Sequence, residues 1–323
     1  MTIADQGGPT PFLTAPDSKC PSDFLALAGG GEPLPVGFVR AIGPAILETA
    51  RDAIAAGLAR PVLFGEAAQI RADAADMGWD LQGAEVVDSD GEQGAIEAAV
   101  AAVQDGSARG LIKGQLHTDV FMGTIVRRSS GIRTDRRLVH IFAMLPPGGG
   151  LPLLISDAAV NIVPDVKTRT EAALAMAALL RRMGVATPRI AVLSATESKL
   201  EAMPSSIEAE EIAGAAAAAD PDAAFAGPLS LDLAISPESA RIKGIDPDSA
   251  QGAVAGRAQG LVVPDIVSGN VLFKSLAYCA SGLAAGVVIG GSVPIMLTSR
   301  SDPPAARLAS LALAAIAGQE KSE

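Results

Sequence analysis

Short apolar runs alternate with alanine-rich stretches of helical period along almost the whole chain, and several of the runs end in a polar turn. Clear pairs are AIGPAILETARDAIAAGLA (41–59) followed by RPVLFG (60–65), and GAIEAAVAAVQDGSA (94–108) followed by RGLIKG (109–114). Apolar residues three and four apart read as one face of a helix, whereas a short continuous apolar run reads as a buried strand. Strand candidates continue at Val139–Met144, Leu151–Ile155, PRIAVLSA (188–195), AFAGPLSLDLAIS (224–236), AQGLVVPD (258–265), AAGVVIGG (284–291) and VPIMLTS (293–299). Helices are expected at Thr168–Met183, stopped by Gly184, and at SSIEAEEIAGAAAAAD (205–220) with Ser205 or Ser206 as its cap. Two more are expected at VLFKSLAYCAS (271–281) and after Pro304. Such alternation specifies an α/β architecture with mainly parallel sheets and right-handed crossovers. Residues 1–22, rich in Gly, Pro and Asp without a period, read as a loose lead-in.

A chain of 323 residues fits two domains of ordinary size. Its 25 basic and 36 acidic residues give a net charge of −11, which argues against general binding to nucleic acid or to an anionic membrane. A phosphate ligand stays open, because a few local cations suffice to bind one. Cys20 and Cys279 are the only cysteines, so neither a disulfide framework nor a zinc cluster is expected, and Cys279 in SLAYCASG reads as a small buried hydrophobe. The polar, proline-broken start does not resemble a signal peptide, and no apolar run approaches the roughly 20 residues that span a bilayer, so a soluble cytoplasmic protein is expected. GxxxxGK[ST], a GxGxxG followed by a suitable helix, CxxC and HExxH are all absent, which removes the usual support for NTP-hydrolase, dinucleotide and zinc chemistry.

Ligands of such folds bind outside the carboxyl ends of the strands, so the polar strand ends rank as site candidates. In LIKGQLHTDVF, Lys113 and Gly114 can approach a phosphate, while His117 belongs either to acid–base chemistry or to a loop in which Thr118 and Asp119 cap a helix. Arg127, Arg128, Arg133, Arg136 and Arg137 form either an anion-capturing cluster or a solvated loop. In LLISDAAVNIVPD, Ser156, Asp157 and Asn161 mark either a site or an Asx-type turn. Asp265 ends a strand, and Ser268-Gly269-Asn270 opens a helix whose free N–H groups favour an anion or simply need a cap. In LTSRSDPP, Asp302 is a natural N-cap before Pro303 and equally a catalytic candidate, whereas Arg300 at the seam of two apolar elements needs an anionic partner or a wet cleft.

Taken in order, LIKGQLHT, LLISDAAVNIVPD, FAGPLSLDLAIS, AQGLVVPDIVSGNVLFKSLAY and VPIMLTSRSD resemble the phosphate acetyltransferase/phosphate butyryltransferase family over nearly all of the chain. The combination VPD-x-x-SGN-x-x-x-K followed by T-S-R carries most of the likeness, and LTSRSD is closer to the butyryl branch. The resemblance implies a fold like isocitrate and isopropylmalate dehydrogenases, with two α/β domains around a cleft. The domains would be 1–150 plus 297–323, and 151–296, in a homodimer. It implies reversible acyl transfer between CoA and inorganic phosphate, with acyl-CoA and phosphate as small-molecule substrates and no bound cofactor. Ser299 and Arg300 would stabilise the oxyanion and hold phosphate; Ser268, Gly269, Asn270, Lys274, Asp265, Ser156, Asp157 and Asn161 would surround the substrates. The acetyl branch's downstream carboxylate is missing from PPAARLA, so Asp302 is the nearest base, with Asp265 and Asp157 as others. Its Leu-Arg-Pro is replaced by Phe121-Met122-Gly123, so Arg133 or Arg137, with Lys113 and His117, would take over contacts to CoA or phosphate. A catalytically impaired relative, or a metal-dependent dehydrogenase of the same fold, is the alternative.

Overall fold

The apolar runs become strands of one hydrogen-bonded sheet, seen in a computed structural model that describes residues 12–15, 19–29, 31–297 and 302–319. The first part of the chain carries α1 (Ser22–Ala28), β1 (Leu34–Val39), α2 (Pro44–Ala55), β2 (Ala59–Gly65) and α3 (Ala67–Asp76). It continues through β3 (Glu85–Asp88), α4 (Gly91–Gln104), β4 (Gly110–Lys113) and α5 (Thr118–Ile125). Then come β5 (Val139–Leu145), β6 (Leu153–Ser156), α6 (Val166–Arg182), β7 (Arg189–Leu193), α7 (Pro204–Ala219), β8 (Ala224–Leu229), α8 (Leu231–Ile235) and α9 (Pro237–Ile242). The described chain closes with β9 (Gly260–Val262), α10 (Ile266–Cys279), β10 (Leu283–Ile289), β11 (Ile295–Met296) and α11 (Pro304–Gly318).

The strand order is β3-β2-β1-β4-β11-β10-β5-β6-β9-β7-β8. The pairs from β3 to β11 are parallel, as are those from β6 to β8. Between these halves β10 runs antiparallel to β11 and to β5, and β5 runs antiparallel to β6. Parallel strands covered on both faces need apolar side chains on both, which is why they read as continuous runs. Phe38, Leu63, Ile112 and Met296 pack on one face with Leu47 of α2 and Leu313 of α11. Their neighbours Val39, Phe64, Leu111 and Ile295 pack on the other with Ile96 of α4 and Phe121 of α5. Burying such side chains contributes about 1.5–3 kcal/mol each relative to exposure.

Several local expectations are corrected. Ser205 and Ser206 lie inside α7, because Pro204 takes the first helical position; Ser206 Oγ donates to the Met203 carbonyl at 2.8 Å. The run 224–236 is a strand only to Leu229 and then turns into α8, and β11 spans only Ile295–Met296. Cys279 is exposed, because α10 lies on the surface with Gly269 as its only buried residue. β1, α3 and β3 come in addition to the expected elements.

Candidate functional site

β6 delivers Ser156 and Asp157 into a buried turn. One oxygen of Asp157 accepts the backbone N–H groups of Ala159 and Val160, both at 2.9 Å. The other accepts the His140 N–H at 3.0 Å and the Asn161 side-chain amide at 2.7 Å. That amide also donates to the Leu138 carbonyl at 2.9 Å. The Asx-type turn is therefore real, and it commits both oxygens to shaping the loop. Beside it the His140 ring is buried and lies 4.3 Å from Phe142. Burial pushes its pKa down to about 4, against a smaller upward pull from Asp157. Ser156 Oγ is buried with no hydrogen-bond partner among the described residues.

The start of α10 is fastened to this loop. Asp265 is its N-cap, accepting from Ser268 N at 2.8 Å and Ser268 Oγ at 3.2 Å. The Ile266 N–H donates to the Ile162 carbonyl at 3.2 Å. A Cβ at Gly269 would stand 2.6 Å from the Asp157 carbonyl oxygen and 2.9 Å from the Ala158 Cβ, so only glycine permits the approach. Asn270 follows, half-buried, and Lys274 one turn later is exposed with its ammonium 5.9 Å from the Phe273 ring centre. Asp265 thus acts as a cap, and the loop after β6 meets the N-terminus of α10 directly.

A second polar cluster sits at the ends of β1, β2 and β4. Gly114 after β4 has its place for the Cβ only 2.5 Å from the Val39 carbonyl oxygen. His117, exposed, occupies the N-cap position of α5, so Thr118 and Asp119 lie inside the helix and do not cap it. The His117 N–H donates to Glu92 Oε2 at 3.0 Å, and its Nδ1 lies 2.9 Å from Glu92 Oε1. Arg40, Glu66, Gln69, Asp73, Lys113 and Arg307 border a cavity of about 660 Å³ here.

Apolar residues flanking both clusters pack against one buried set that includes Leu116, Phe121 and Ile295. Among them are Val160 from the loop after β6, Leu138 before β5, Val120 and Met122 of α5, and Leu297 after β11. The arginine-rich segment stays exposed: the Arg133 side chain donates to the Val126 carbonyl at 3.3 Å, Arg136 stands 4.0 Å from Glu171, and the Arg137 N–H donates to Glu171 Oε2 at 3.2 Å.

Ser299 and Arg300 lie outside the described residues. Asp302 is half-buried and does not cap α11, because Pro303 holds the N-cap position and Pro304 the first helical one. Its carbonyl instead accepts from Arg307 Nη1 at 2.6 Å. Buried Arg307 also donates to Thr49 Oγ1 at 2.7 Å and Glu48 Oε2 at 2.8 Å. Arg40, Glu66, Glu92 and Arg307 were not among the expected site residues. Arg40 follows the apolar run LPVGFV, a signal that the strand-end criterion would have ranked had β1 been recognised; Arg307 sits inside an alanine-rich helix pattern with no such marker.

Residues 93–315 match the family described as phosphate acetyl/butaryl transferase. The chain is 41% identical over 266 residues to a phosphate acetyltransferase of Rhizobium meliloti, covering 82% of this chain and 83% of that one. The crystal structure of a branched-chain phosphotransacylase from Enterococcus faecalis V583 superposes with a TM-score of 0.78 at 29% identity, covering 89% of this chain and all of that one. A 4-hydroxythreonine-4-phosphate dehydrogenase from Klebsiella pneumoniae shares the fold alone, with a TM-score of 0.54 at 14% identity over 89% of this chain and 100% of the other. With such likeness over most of its length, the chain belongs to the phosphate acetyl/butyryl transferase family.

Proposed function

We propose that this protein is a phosphate acyltransferase that moves a short acyl group reversibly between CoA and inorganic phosphate in a ternary complex, without a covalent enzyme intermediate. A phosphate oxygen attacks the thioester carbonyl, the C–S bond breaks, and acyl phosphate and the CoA thiolate leave; a proton is returned to the thiolate. The transition state gathers negative charge on the carbonyl oxygen, the sulfur and the phosphate. Preorganised donors aimed at that charge are the main means of lowering such a barrier.

The observation that carries the site assignment is the close approach of the loop after β6 to the start of α10, which only glycine at 269 allows. That junction gathers Ser156, Asp157, Asn161, Asp265, Ser268, Gly269 and Asn270, with Lys274 one turn on. We assign it to the phosphate and acyl oxygens, together with Ser299 and Arg300. As the carboxylate nearest in sequence to Ser299 and Arg300, Asp302 is the base we assign, taking the CoA thiol proton in the acyl-phosphate-to-CoA direction and returning it in the other. Lys113 and His117 belong to the CoA side, with the exposed Arg133 and Arg137 as further contacts for its phosphates.

We divide the chain into 1–150 plus 297–323, and 151–296; the parallel set β6-β9-β7-β8 falls wholly within the second unit, which supports the division, whereas β11 pairs with β4 of the first. Val267, Val271 and Tyr278 form an exposed stripe along one side of α10, which supports a homodimer. None of the described helices is long and apolar enough to cross a membrane, in keeping with a cytoplasmic enzyme.

Purified protein incubated with acetyl-CoA or butyryl-CoA and phosphate should release free thiol; no release with any short acyl-CoA would overturn the reading. Comparing acyl lengths then assigns the substrate, since one methylene is worth only about 1–3 kcal/mol in a pocket.

A further inference from the structure

Arg40 stands directly after β1 with φ 53°, a backbone conformation that side-chain-bearing residues seldom adopt. Such an outlier persists only where the surroundings over-determine it. Here they do. Arg40 Nε and Nη2 donate to Glu66 Oε1 at 3.3 and 3.1 Å, and Nη1 donates to Glu92 Oε1 at 3.3 Å and to the Gln115 carbonyl at 3.1 Å. Glu66 is the N-cap residue of α3, Glu92 lies in the first turn of α4, and Gln115 belongs to the β4–α5 connection. One guanidinium therefore ties three separate connections to the end of β1. Glu92 carries the constraint onward by holding both the N–H and the ring of His117.

Both carboxylates are kept charged. Burial pushes Glu66 up, but the hydrogen bonds and charge of Arg40 help bring it below the ordinary range. Glu92 is lowered first by the His117 N–H, against burial, and then by the His117 ring and Arg40. Arg40, Lys113 and Gln115 all border the cavity of about 660 Å³. Pockets of about 300–1,000 Å³ hold molecules of drug or nucleotide size, far larger than a phosphate ion.

We infer that Arg40 is a positioning residue for the CoA side of the reaction: it holds the β4–α5 connection, with Lys113, at the wall of a cavity that receives CoA, and through Glu92 it fixes His117 at the far end of that connection. The inference rests on the acyltransferase reading above. Arg40 acts through the connection it holds, since its own N–H groups are engaged by Glu66, Glu92 and Gln115. Removing it leaves two carboxylates without the cation they share, beside Lys113, Asp73, Arg307 and His117.

The test is calorimetric titration of CoA into the wild-type chain, Arg40→Gln, Arg40→Lys and the double variant Arg40→Gln/Glu66→Gln, with thiol-release kinetics alongside. Coupling within such a network predicts that Arg40→Gln weakens CoA binding and raises KM for acyl-CoA about tenfold. KM for phosphate should stay within about twofold. Adding Glu66→Gln removes one orphaned charge and should recover most of the loss, a rescue that simple damage to packing would not give. Arg40→Lys should fall between, and it carries the test if circular dichroism shows Arg40→Gln unfolded. Unchanged CoA affinity, equal losses toward CoA and phosphate, or failure of the second substitution to rescue would each overturn the inference. A wild-type protein that binds CoA but releases no thiol would sink the acyltransferase reading while the titration still decides the role of Arg40.

Discussion

The junction between the loop after β6 and α10 differs in kind from the cluster above β1, β2 and β4. At the junction, carboxylates bond backbone: Asp157 takes three main-chain N–H groups, and Asp265 caps its helix. Above β1, side chains bond side chains, as Arg40 shares Glu66 and Glu92 and Glu92 holds the His117 ring. In the first, Asp157 is buried and Gly269 sterically fixed; the second is a quarter exposed at Arg40 and Glu92. A buried carboxylate with every oxygen committed sets shape, whereas partly exposed ion pairs set position weakly and yield to charge changes. Under the assignment proposed above, shape at one cluster orients a small anion and adjustable charge at the other admits a long, flexible thioester.

The largest effect should come from Gly269→Ala. Its Cβ would meet main-chain oxygen of Asp157, which cannot swing away as a side chain can. Overpacking of this sort costs about 1–3 kcal/mol of stability. Displacing a site by about 1 Å can cost about 10²-fold in rate. Thiol release and thermal melts measure the two losses; full activity with a normal melt would show that the junction does not set the site.

Next in size is the acid sensitivity of His140. Its folded pKa of about 4 lies below the ordinary 6.5, because burial outweighs the pull of Asp157. Between those values the unfolded chain binds a proton that the folded chain does not. Stability is therefore complete above about pH 6.5 and falls as pH drops toward 4, by at most about 3 kcal/mol from this group. His140→Leu should flatten that part of the stability–pH curve; an unchanged slope in urea melts from pH 4 to 7 would remove His140 as its source.

Much of this molecule was legible in the chain. Continuous apolar runs such as RPVLFG and VHIFAM report strands buried on both faces, and SDAAVN and SGN report turns and caps by their residue types. β1 escaped because Pro35 and Gly37 interrupt LPVGFV, although a Cβ at Gly37 would stand 2.9 Å from a methyl group of Leu111. β3 escaped because EVVD is short and incompletely buried. The Arg40 cluster was invisible for a different reason: its members come from residues 40, 66, 92, 115 and 117, and only the sheet order brings them together. Asp302 shows the reverse. Local rules make it a cap, yet a second proline moves the helix start one residue on, so that Pro303 takes the N-cap position instead.

The smallest effects give the sharpest comparison of the two regions. Asp157→Asn keeps the shape but turns one acceptor into a donor facing other N–H groups, and an unsatisfied buried group costs about 1–3 kcal/mol. Glu92→Gln loses charge in a partly exposed pair, where such interactions are worth about 0–1 kcal/mol. Urea melts at pH 7 should therefore separate the variants clearly, with Asp157→Asn the less stable. Activity should separate them differently. Asp157→Asn should lower turnover with both substrates, while Glu92→Gln should raise KM for acyl-CoA a few-fold and leave turnover near that of the wild type. If Glu92→Gln costs as much stability as Asp157→Asn, the cluster is as rigid as the junction. The adjustable end of the site would then have to lie elsewhere, with the exposed Arg133 and Arg137 the next residues to test.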